Sequence, residues 1–410
     1  MILIAAIVAV YVASVAFAPF PHWRTYLQLW KHVLTDREPA VDRAARLGQI
    51  RLLLRHLALV PLWTFLWYLD ELLYPSYQRQ QVRPVFIFGQ PRSGSTLLHR
   101  TLARDSERFI AIRHLEWRFP YITLQKLFAR FGLDQWAAKK SYWADSDEGR
   151  RAASMHPNTL YDFEEDGIFF EECFLCHYFI LFRFPYVDLL SSLDDFSTLS
   201  PRDRKHILAT HKKVVQKIRY LRQASDTQFY LSKEVESMTK MPEVAELYPD
   251  ATFLTSARYS EEYLSSLLAL IEHSTRSKTG VDTSSIPRWK AVNIEKKLRD
   301  CRQQLSFLGE RVPAAQQICV PYRELCRDLP GVVAHIYERL NVPLPQLNWL
   351  PPEESKRASD GQSFPYHRSA FVGFEAFDAF VAAVERAYDK ERADRERIDK
   401  DRVPVGAAAR

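Results

Sequence analysis

Cysteine is scarce in this chain of 410 residues, and its five cysteines are too few and too irregular in number to indicate a disulfide framework. Cys173 and Cys176 have the CxxC spacing of zinc sites, with His177 adjacent, but no second CxxC completes such a site. Because the pair lies in the apolar run EECFLCHYFILF, we expect it to be buried in a core. No other cluster of metal-ligating residue types occurs, so the sequence predicts a site without a metal ion.

The chain also lacks a strong excess of one charge. It has 56 basic and 50 acidic residues, and a formal net charge of +6. No stripe of Lys and Arg with interleaved aromatic residues is present, which argues against a nucleic-acid partner. The balance instead fits a solvated surface with a few cations placed to bind an anionic small molecule. The length and a hydrophobic content of 47% suit one large α/β domain with additions, or two smaller domains.

Charged side chains are absent from Met1 to Phe20. Twenty residues at a rise of about 1.5 Å reach roughly 30 Å, enough to cross a bilayer core. Ala16–Ala18 resembles a signal-peptidase site, but no Lys or Arg precedes the apolar run, so a retained transmembrane anchor is favoured over a cleaved signal. Basic residues on the C-terminal side of the anchor predict a cytoplasmic catalytic domain: Arg24, Lys31, Arg37, Arg43 and Arg46.

A second apolar stretch runs from Leu52 to Tyr74 within a region, residues 21–80, that we expect to be helical and close to the membrane. Arg55, Pro61 and Asp70 interrupt it, and tryptophan and tyrosine enrich it. It fits a second short span, a helix lying in the membrane interface, or a core helix packed on the catalytic domain. Its composition favours contact with the membrane surface.

The remaining chain alternates short strand patterns with helical patterns, and it has no internal repeat. This order predicts an α/β fold with a P-loop-type parallel sheet flanked by helices. We predict a catalytic domain over residues 81–390, with a helical cap at about 136–225 above the carboxyl edge of the sheet, and a charged tail at 391–410. The predicted strands are 85–88, 109–112, 228–231 and 252–255; the predicted helices are 96–103, 203–222, 241–247 and 261–271.

A phosphate-binding loop follows the first predicted strand. Gly89, Gly94 and Thr96 have the G-x-x-x-x-G-x-[ST] spacing of a P-loop between a strand and a helix. Glycines let the backbone approach an anion, consecutive N–H groups point at it, and the helix N-terminus adds its dipole. The nucleotide-triphosphatase form has Lys where this chain has Ser95, which argues against kinase or ATPase chemistry. A cation lies inside the loop instead, at Arg92.

The loop sequence PRSGSTLL is similar to the 5′-phosphosulfate loop of sulfotransferases that use 3′-phosphoadenosine 5′-phosphosulfate (PAPS), particularly the bacterial and tyrosylprotein-type branch. The resemblance implies that PAPS is the donor and that the 5′-phosphate is held by Arg92, Ser93, Gly94, Ser95 and Thr96. It also implies that no metal ion takes part.

Members of this family bind the 3′-phosphate of the donor with an Arg after a strand and a Ser eight residues further along the next helix. Arg258 and Ser266 have this placement in PDATFLTSARYSEEYLSS. Arginine forms forked bonds to phosphate, and eight residues keep the serine within about two helical turns. A later segment, Val320 to Val342, also resembles the family, so the resemblance runs from Pro84 to about Val342.

The resemblance implies catalytic roles for Arg92, on the leaving-group side, and for two further residues. Lys233 lies 25 residues before Arg258 and corresponds to a lysine that stabilises the transition state in tyrosylprotein-type relatives. Glu116 corresponds to their general base, although an ordinary surface role fits equally well. The bacterial branch continues Lys-Ser-Pro-x-His after this lysine, whereas here Glu234, Val235 and Glu236 follow, which leaves the local turn open.

His156 is the rival base. It lies in a Met-His-Pro segment that the bacterial branch often shares, followed by the acidic cluster Glu164–Asp166. An imidazole suits proton abstraction at neutral pH, but the structural reading, a histidine whose hydrogen bonds are satisfied within the fold, is slightly favoured. His99, just after the loop, is expected to be a packing or surface residue rather than a catalytic one. The C-terminal RKGxxGDWK stretch of cytosolic relatives is absent; Lys356-Arg357 and Tyr366–Arg368 are candidates for its phosphate or adenine contacts.

The acceptor is predicted from the cap. Aromatic residues crowd Phe163 to Phe184, and a membrane anchor would hold the site near lipid. We therefore expect a hydroxyl group on a lipophilic molecule or lipid as the acceptor, while the oligomeric state stays open. Two alternatives remain: a P-loop kinase or nucleotide hydrolase, and a non-catalytic membrane-bound protein that keeps a sulfotransferase fold.

Overall fold

The computed structural model describes residues 2–143, 145–192, 196–235, 238–346 and 371–402. The sequence candidates Lys356-Arg357 and Tyr366–Arg368 lie outside these ranges, as does Glu236 of the segment after Lys233.

A five-stranded parallel sheet with strand order β2-β3-β1-β4-β5 forms the centre of the fold. Each neighbouring pair of strands is parallel, which confirms the predicted parallel α/β sheet. Because β1 is the central strand, the loop that follows it lies between the carboxyl ends of β3 and β4. The strands are β1 (Pro84–Phe88), β2 (Phe109–Ile110), β3 (Phe229–Glu234), β4 (Thr252–Ala257) and β5 (Gln317–Pro321).

Helices make up most of the remaining described chain. The α-helices are α1 (Ile2–Ala16), α2 (Trp23–Thr35), α3 (Arg43–Leu73), α4 (Ser95–Leu102), α5 (His114–Arg118), α6 (Ile122–Arg130), α7 (Leu133–Ala137), α8 (Asp147–Met155), α9 (Gly167–Glu172), α10 (His177–Arg183), α11 (Val187–Ser192), α12 (Pro201–Leu221), α13 (Met241–Leu247), α14 (Ser260–Thr279), α15 (Trp289–Glu310), α16 (Tyr322–Arg327), α17 (Leu329–Arg339) and α18 (Glu375–Arg402). Short 3₁₀ turns occur at Pro75–Arg79, Phe196–Thr198, Met238–Lys240, Thr283–Ser285 and Ala314–Gln316.

Helices cover both faces of the sheet. The side chains of β1 point alternately to the two faces and pack in two different apolar cores. Val85 and Ile87 pack in the core that contains side chains of α4 and α17. Phe86 and Phe88 pack in a larger core that contains side chains of α12 and α15. A strand buried on both faces reads as the continuous apolar run seen in the sequence.

Two strands differ from their predicted bounds for physical reasons. β2 ends at Ile110 because the next carbonyls accept other bonds: Ala111 O accepts from Arg222, and Ile112 O accepts from the backbone of Glu164. β3 runs on to Glu234, so Lys233 lies inside the strand rather than after it. Lys233 pairs in register with Ile87 of β1, which holds the lysine at the carboxyl edge of the sheet.

The segment predicted as a cap, residues 136–225, is largely helical and shares its core with the N-terminal region. It includes the end of α7 and helices α8 to α12, and its aromatic side chains pack with those of α2 and α3 in one cluster. Gln49 on α3 accepts a bond from Tyr186 Oη at 2.7 Å and donates to Arg183 O at 2.9 Å. Cys173 and Cys176 are buried in this core, as expected. The inner face of α3 is therefore a packing surface of the cap.

The predicted anchor at Met1 to Phe20 is shorter as a helix than the sequence suggested. α1 has 15 residues, which at about 1.5 Å per residue reach only about 22 Å. Among the described residues, α3 alone is long and apolar enough to cross a bilayer, a property that buried core helices share. α1 lies beside α3, where Tyr11 Oη donates to Leu57 O at 2.7 Å and Thr64 Oγ1 donates to Ser14 O at 3.0 Å.

Candidate active site

The loop between β1 and α4 has the backbone of an anion cradle. Gly94 precedes α4 with φ at 84°, a left-handed conformation that favours glycine. A Cβ at this position would lie 3.1 Å from side-chain atoms of both Tyr322 and Leu325. The first N–H groups of α4 have no partner within the helix, and the helix dipole makes this end positive. The arrangement suits a phosphate group at the start of α4.

The β4 side of the loop joins residues that are far apart in the sequence. Arg92 Nε donates to Ser266 Oγ on α14 at 2.9 Å. An Arg258 guanidinium nitrogen donates to the backbone oxygen of Arg92 at 2.6 Å. Ser256 Oγ, at the end of β4, donates to the backbone oxygen of Ser93 at 2.5 Å. The structure thus brings the predicted 5′-phosphate loop and the predicted 3′-phosphate residues into one connected site.

Two guanidinium groups lie side by side here with little negative charge between them. Arg258 lies over the ring of Tyr322 at 4.1 Å and pairs only with the half-exposed Glu262 at 3.1 Å among the described residues. Arg92 has no carboxylate within ion-pair distance in the described chain; besides Ser266, it donates to Met155 O at 2.9 Å. Burial and the charge of Arg258 both lower the pKa of Arg92. An anion bound between the two arginines would relieve this repulsion.

The β3 side of the loop presents a buried lysine. Lys233 Nζ donates to Thr96 Oγ1, in the first turn of α4, at 3.0 Å. The same nitrogen lies 3.1 Å from a carboxylate oxygen of Glu165 and 4.0 Å from one of Glu164. The Lys233 side chain is only 2% exposed. The loop therefore has a cation on each side: Lys233 of β3 on one side, and Arg258, between β4 and α14, on the other.

Glu164 is the centre of a set of charged groups beside this lysine. Its carboxylate accepts from His156 Nε2 and from an Arg100 guanidinium nitrogen, each at 3.3 Å. Although burial opposes ionisation, Lys233, His156 and Arg100 hold the pKa of Glu164 well below its usual range. Burial lowers the pKa of His156, while its hydrogen bond to Glu164 and the charge of Glu164 act in the opposite direction.

Glu165 also contacts Lys233, although the sequence did not single it out as a candidate site residue. The sequence marked it only as part of an acidic cluster, with no role of its own. Burial raises the pKa of Glu165 to about 7, against the effect of Lys233 and with a further contribution from the charge of Glu164. Its position beside Lys233 depends on a contact between the cap and β3 that residue spacing does not reveal.

Glu116, the other predicted base, lies in a different setting. It pairs with Arg222 at 2.5 Å, and the same carboxylate accepts the backbone N–H of Arg113 at 2.7 Å. No hydrogen bond or ion pair among the described residues joins it to the phosphate loop. His99 is 1% exposed, and burial lowers its pKa to about 4, with the charge of Lys233 adding to the effect. His99 is thus a packing residue, as expected.

The fold and the site together define a phosphate-loop α/β protein in which arginine and lysine side chains, from the strands on either side, surround the loop. A family model described as the sulfotransferase family matches residues 84–346. This match covers more than half of the chain, and the chain belongs to the sulfotransferase family. The match begins at β1 and includes Lys233 and Arg258, the cations on the two sides of the loop.

Solved structures agree in fold. Sulfotransferase STF9 from Mycobacterium avium superposes with a TM-score of 0.64 and 17% identity, over 93% of this chain and 96% of that chain. Sulfotransferase STF1 from Mycobacterium tuberculosis H37Rv gives a TM-score of 0.60 and 18% identity, over 88% of this chain and 92% of that chain. At these identities the likeness concerns the fold. A sequence comparison with curated proteins finds no match.

Proposed function

We propose that this protein transfers a sulfuryl group from PAPS to a hydroxyl group of a lipophilic acceptor. The observation that carries the proposal is the connection of the loop to Ser266 and Arg258 on one side and to Lys233 on the other. A donor with phosphate groups at both ends of its sugar needs two anion sites a short distance apart. The loop offers one and the Arg258–Ser266 pair offers the other.

The donor fits the side chains that are present. Under this proposal Ser93, Gly94, Ser95 and Thr96 hold the 5′-phosphosulfate end through backbone N–H groups and hydroxyl groups. Arg258 and Ser266 hold the 3′-phosphate, since a guanidinium binds phosphate through two parallel hydrogen bonds. Arg92 spans the two sites because its backbone lies in the loop and its side chain reaches Ser266.

Sulfuryl transfer then requires little covalent chemistry from the protein. The acceptor oxygen forms a bond to sulfur as the bond from sulfur to the 5′-phosphate oxygen breaks, and the acceptor proton passes to a base. The leaving group is adenosine 3′,5′-bisphosphate, whose growing negative charge Lys233 and Arg92 would stabilise. These cations meet the charge requirement of the step, so the proposed reaction uses no metal ion. His156 and Glu116 remain sequence candidates for the base.

A lipophilic acceptor is supported by the outward face of the N-terminal helices. The inner face of α3 packs on the cap, whereas large apolar side chains on its other face are exposed, among them Leu54, Phe65 and Leu72. Val8 and Val12 of α1, the helix that packs beside α3, are exposed as well. We propose that the surface contacts the membrane, with the catalytic domain on the cytoplasmic side, and that acceptors reach the cap from the lipid.

The kinase and nucleotide-hydrolase alternative is disfavoured by Ser95 in the position of the P-loop lysine. The non-catalytic alternative is disfavoured by the site itself. Lys233 donates to the first turn of α4, Arg258 donates to the loop backbone, and Arg92 within the loop donates to Ser266. A protein that had lost its activity would have no need to keep three buried or half-buried cations around an anion site.

Transfer of label from PAPS tests the proposal directly. The full-length protein in detergent is incubated with sulfur-35-labelled PAPS and a membrane extract, and the products are partitioned between organic and aqueous phases. We expect label in organic-phase products with the wild-type protein and at least about a 100-fold lower rate with Lys233→Met. Label only in protein or in water-soluble sugars would contradict the lipophilic acceptor, and no transfer to any product would contradict the activity.

A further inference from the structure

The turn that carries the acidic cluster is fixed to β3 by Asp166. The backbone N–H of Asp166 donates to Lys233 O at 3.0 Å. Its carboxylate accepts from Ser232 Oγ at 2.7 Å, from Tyr230 Oη at 2.8 Å and from His211 Nε2 at 3.0 Å. These bonds are buried and join the cap to the sheet. The two preceding residues are therefore placed beside Lys233 by a rigid contact rather than by a free loop.

The two carboxylates before Asp166 have opposite surroundings. Glu164 is 3% exposed, and its oxygens contact His156, Arg100 and Lys233. Glu165 is 18% exposed and has Lys233, at 3.1 Å, as its ion-pair partner in the described chain. Both carboxylate oxygens of Glu164 thus have partners, whereas the carboxylate of Glu165 stays partly exposed next to Lys233.

We propose that Glu165 is the general base that takes the proton from the acceptor hydroxyl. The inference rests on the proposed function and assigns a catalytic residue to it. As the acceptor oxygen bonds to sulfur and the bond from sulfur to the phosphate oxygen breaks, the hydroxyl proton moves to the Glu165 carboxylate. Lys233 contacts both Glu165 and Thr96 of the donor loop, so it places the base next to the reacting end of the donor.

The ionisation of the two carboxylates fits this division of roles. Neighbouring carboxyl groups whose pKa values are pushed apart are a recurring sign of an acid–base site. The pKa of Glu164 is held low, so that it stays ionised and structural, whereas the pKa of Glu165 is about 7, which suits proton transfer at neutral pH. The charged groups that act on Glu165 are Lys233 and Glu234 on β3 and its own neighbour Glu164.

The two bases predicted from the sequence, Glu116 and His156, are less well placed than Glu165 to take the proton. Glu116 is engaged by Arg222. His156 reaches Lys233 only through Glu164, to which its Nε2 donates. Glu165 contacts the lysine directly.

The test is the pH dependence of kcat/KM for Glu165→Gln beside the wild type, with Glu107→Gln as a control for the same chemical change at a side chain that is 87% exposed. The wild type should lose activity as the pH falls through about 7, because the carboxyl group must be ionised to accept a proton. Glu165→Gln should lose at least about 100-fold in kcat/KM. It should also lose this decrease in activity toward low pH, which is the acidic limb of the pH profile. Glu165→Asp, which keeps the carboxylate, should keep the limb at a reduced rate.

Binding of adenosine 3′,5′-bisphosphate shows that each variant is folded and separates this proposal from the proposed function. Glu165→Gln should bind it within about threefold of the wild type, since the base faces the acceptor. Glu164→Gln should move the acidic limb to lower pH, because it removes a negative charge that raises the pKa of Glu165. A limb that persists in Glu165→Gln, or that His156→Gln or Glu116→Gln removes instead, overturns the assignment. A wild type that neither binds the bisphosphate nor transfers sulfuryl groups overturns the proposed function itself.

Discussion

Arg92 Nε donates a hydrogen bond of 2.9 Å to Ser266 Oγ, although the two residues lie 174 positions apart in the chain. The bond joins the loop after β1 to the helix after β4, and these are the two segments that the family resemblance assigns to the two phosphate ends of the donor. A ligand with two phosphate groups would therefore meet one continuous site. The bond to Ser266 holds the side chain of Arg92 in one orientation, which lowers the entropic cost of ordering it for binding.

Ser266→Ala should weaken donor binding without unfolding the protein. The change removes one hydroxyl from the second phosphate site and frees Arg92 to move. A single hydrogen bond contributes about 1 to 1.5 kcal/mol, so we expect a decrease of about tenfold in affinity for adenosine 3′,5′-bisphosphate, measured by calorimetry. Ser265→Ala is the matched control, because the Ser265 hydroxyl donates to Glu261 O within α14. An equal effect of both changes would contradict the assigned role of Ser266.

Gly94→Ala should disrupt the cradle through both strain and crowding. Gly94 has φ at 84°, and a new Cβ would lie 3.1 Å from Tyr322 and Leu325. Gly132→Ala serves as the control, since φ there is 65° but no atom lies within 4 Å of the new Cβ. Both variants should lose about 1 to 2 kcal/mol of unfolding free energy from backbone strain. Only Gly94→Ala should lose affinity for the bisphosphate, and equal binding by both variants would argue against the cradle.

Stability should fall on acidification through the buried imidazole of His99. Burial lowers its folded-state pKa to about 4, from 6.5 in the unfolded chain. The unfolded state therefore binds more protons between about pH 6.5 and pH 4, and stability is lost as the pH falls through this window. This histidine contributes up to about 1.4 kcal/mol per pH unit, measurable by urea unfolding at pH 7 and pH 5.

His99→Gln should accordingly reduce the acid sensitivity of the unfolding free energy, because glutamine does not titrate. His206→Gln, a change at an exposed histidine of α12, should leave the slope as it is in the wild type. An unchanged slope in His99→Gln would contradict the assignment of a neutral buried imidazole.

Leu72→Glu should weaken membrane contact, because Leu72 is 76% exposed on the outer face of α3. A charge on this face opposes burial in lipid at a cost of a few kcal/mol. Flotation with liposomes should show the wild type in the lipid fraction and several-fold less of the variant. Leu344→Glu introduces the same charge at another exposed leucine, one that lies after α17, and should float with the wild type. Equal flotation of all three proteins would remove the support for this surface.

The sequence predicted those parts of the fold and of the candidate site that depend on a single segment of the chain. The apolar run Val85–Phe88, the glycines after it and the spacing from Arg258 to Ser266 each report on one strand–helix junction. The structure confirms the predicted parallel sheet to which those junctions belong. The strand order, which places the loop between β3 and β4, was not predicted from the sequence.

Contacts between distant segments were beyond the reach of the sequence. Glu165 is placed by the bonds of Asp166 to β3, and Glu116 is held by Arg222 at the end of α12. The length of α1 and the packing of α3 on the cap likewise depend on neighbours, because apolar composition is the same for a helix in lipid and a helix in a core. Periodicity and spacing describe single segments, whereas these features belong to pairs of segments.

Calorimetric titration of the wild-type protein with adenosine 3′,5′-bisphosphate, compared with ATP and adenosine 5′-monophosphate, tests the central claim most directly. If the loop and the Arg258–Ser266 pair form one site for a donor with two phosphate ends, the bisphosphate should bind at least about tenfold more tightly than either competitor. Arg258→Met should remove this preference, because it removes the forked contact to the 3′-phosphate. Tighter binding of ATP, or equal binding of all three nucleotides, would contradict the assignment of this site to PAPS.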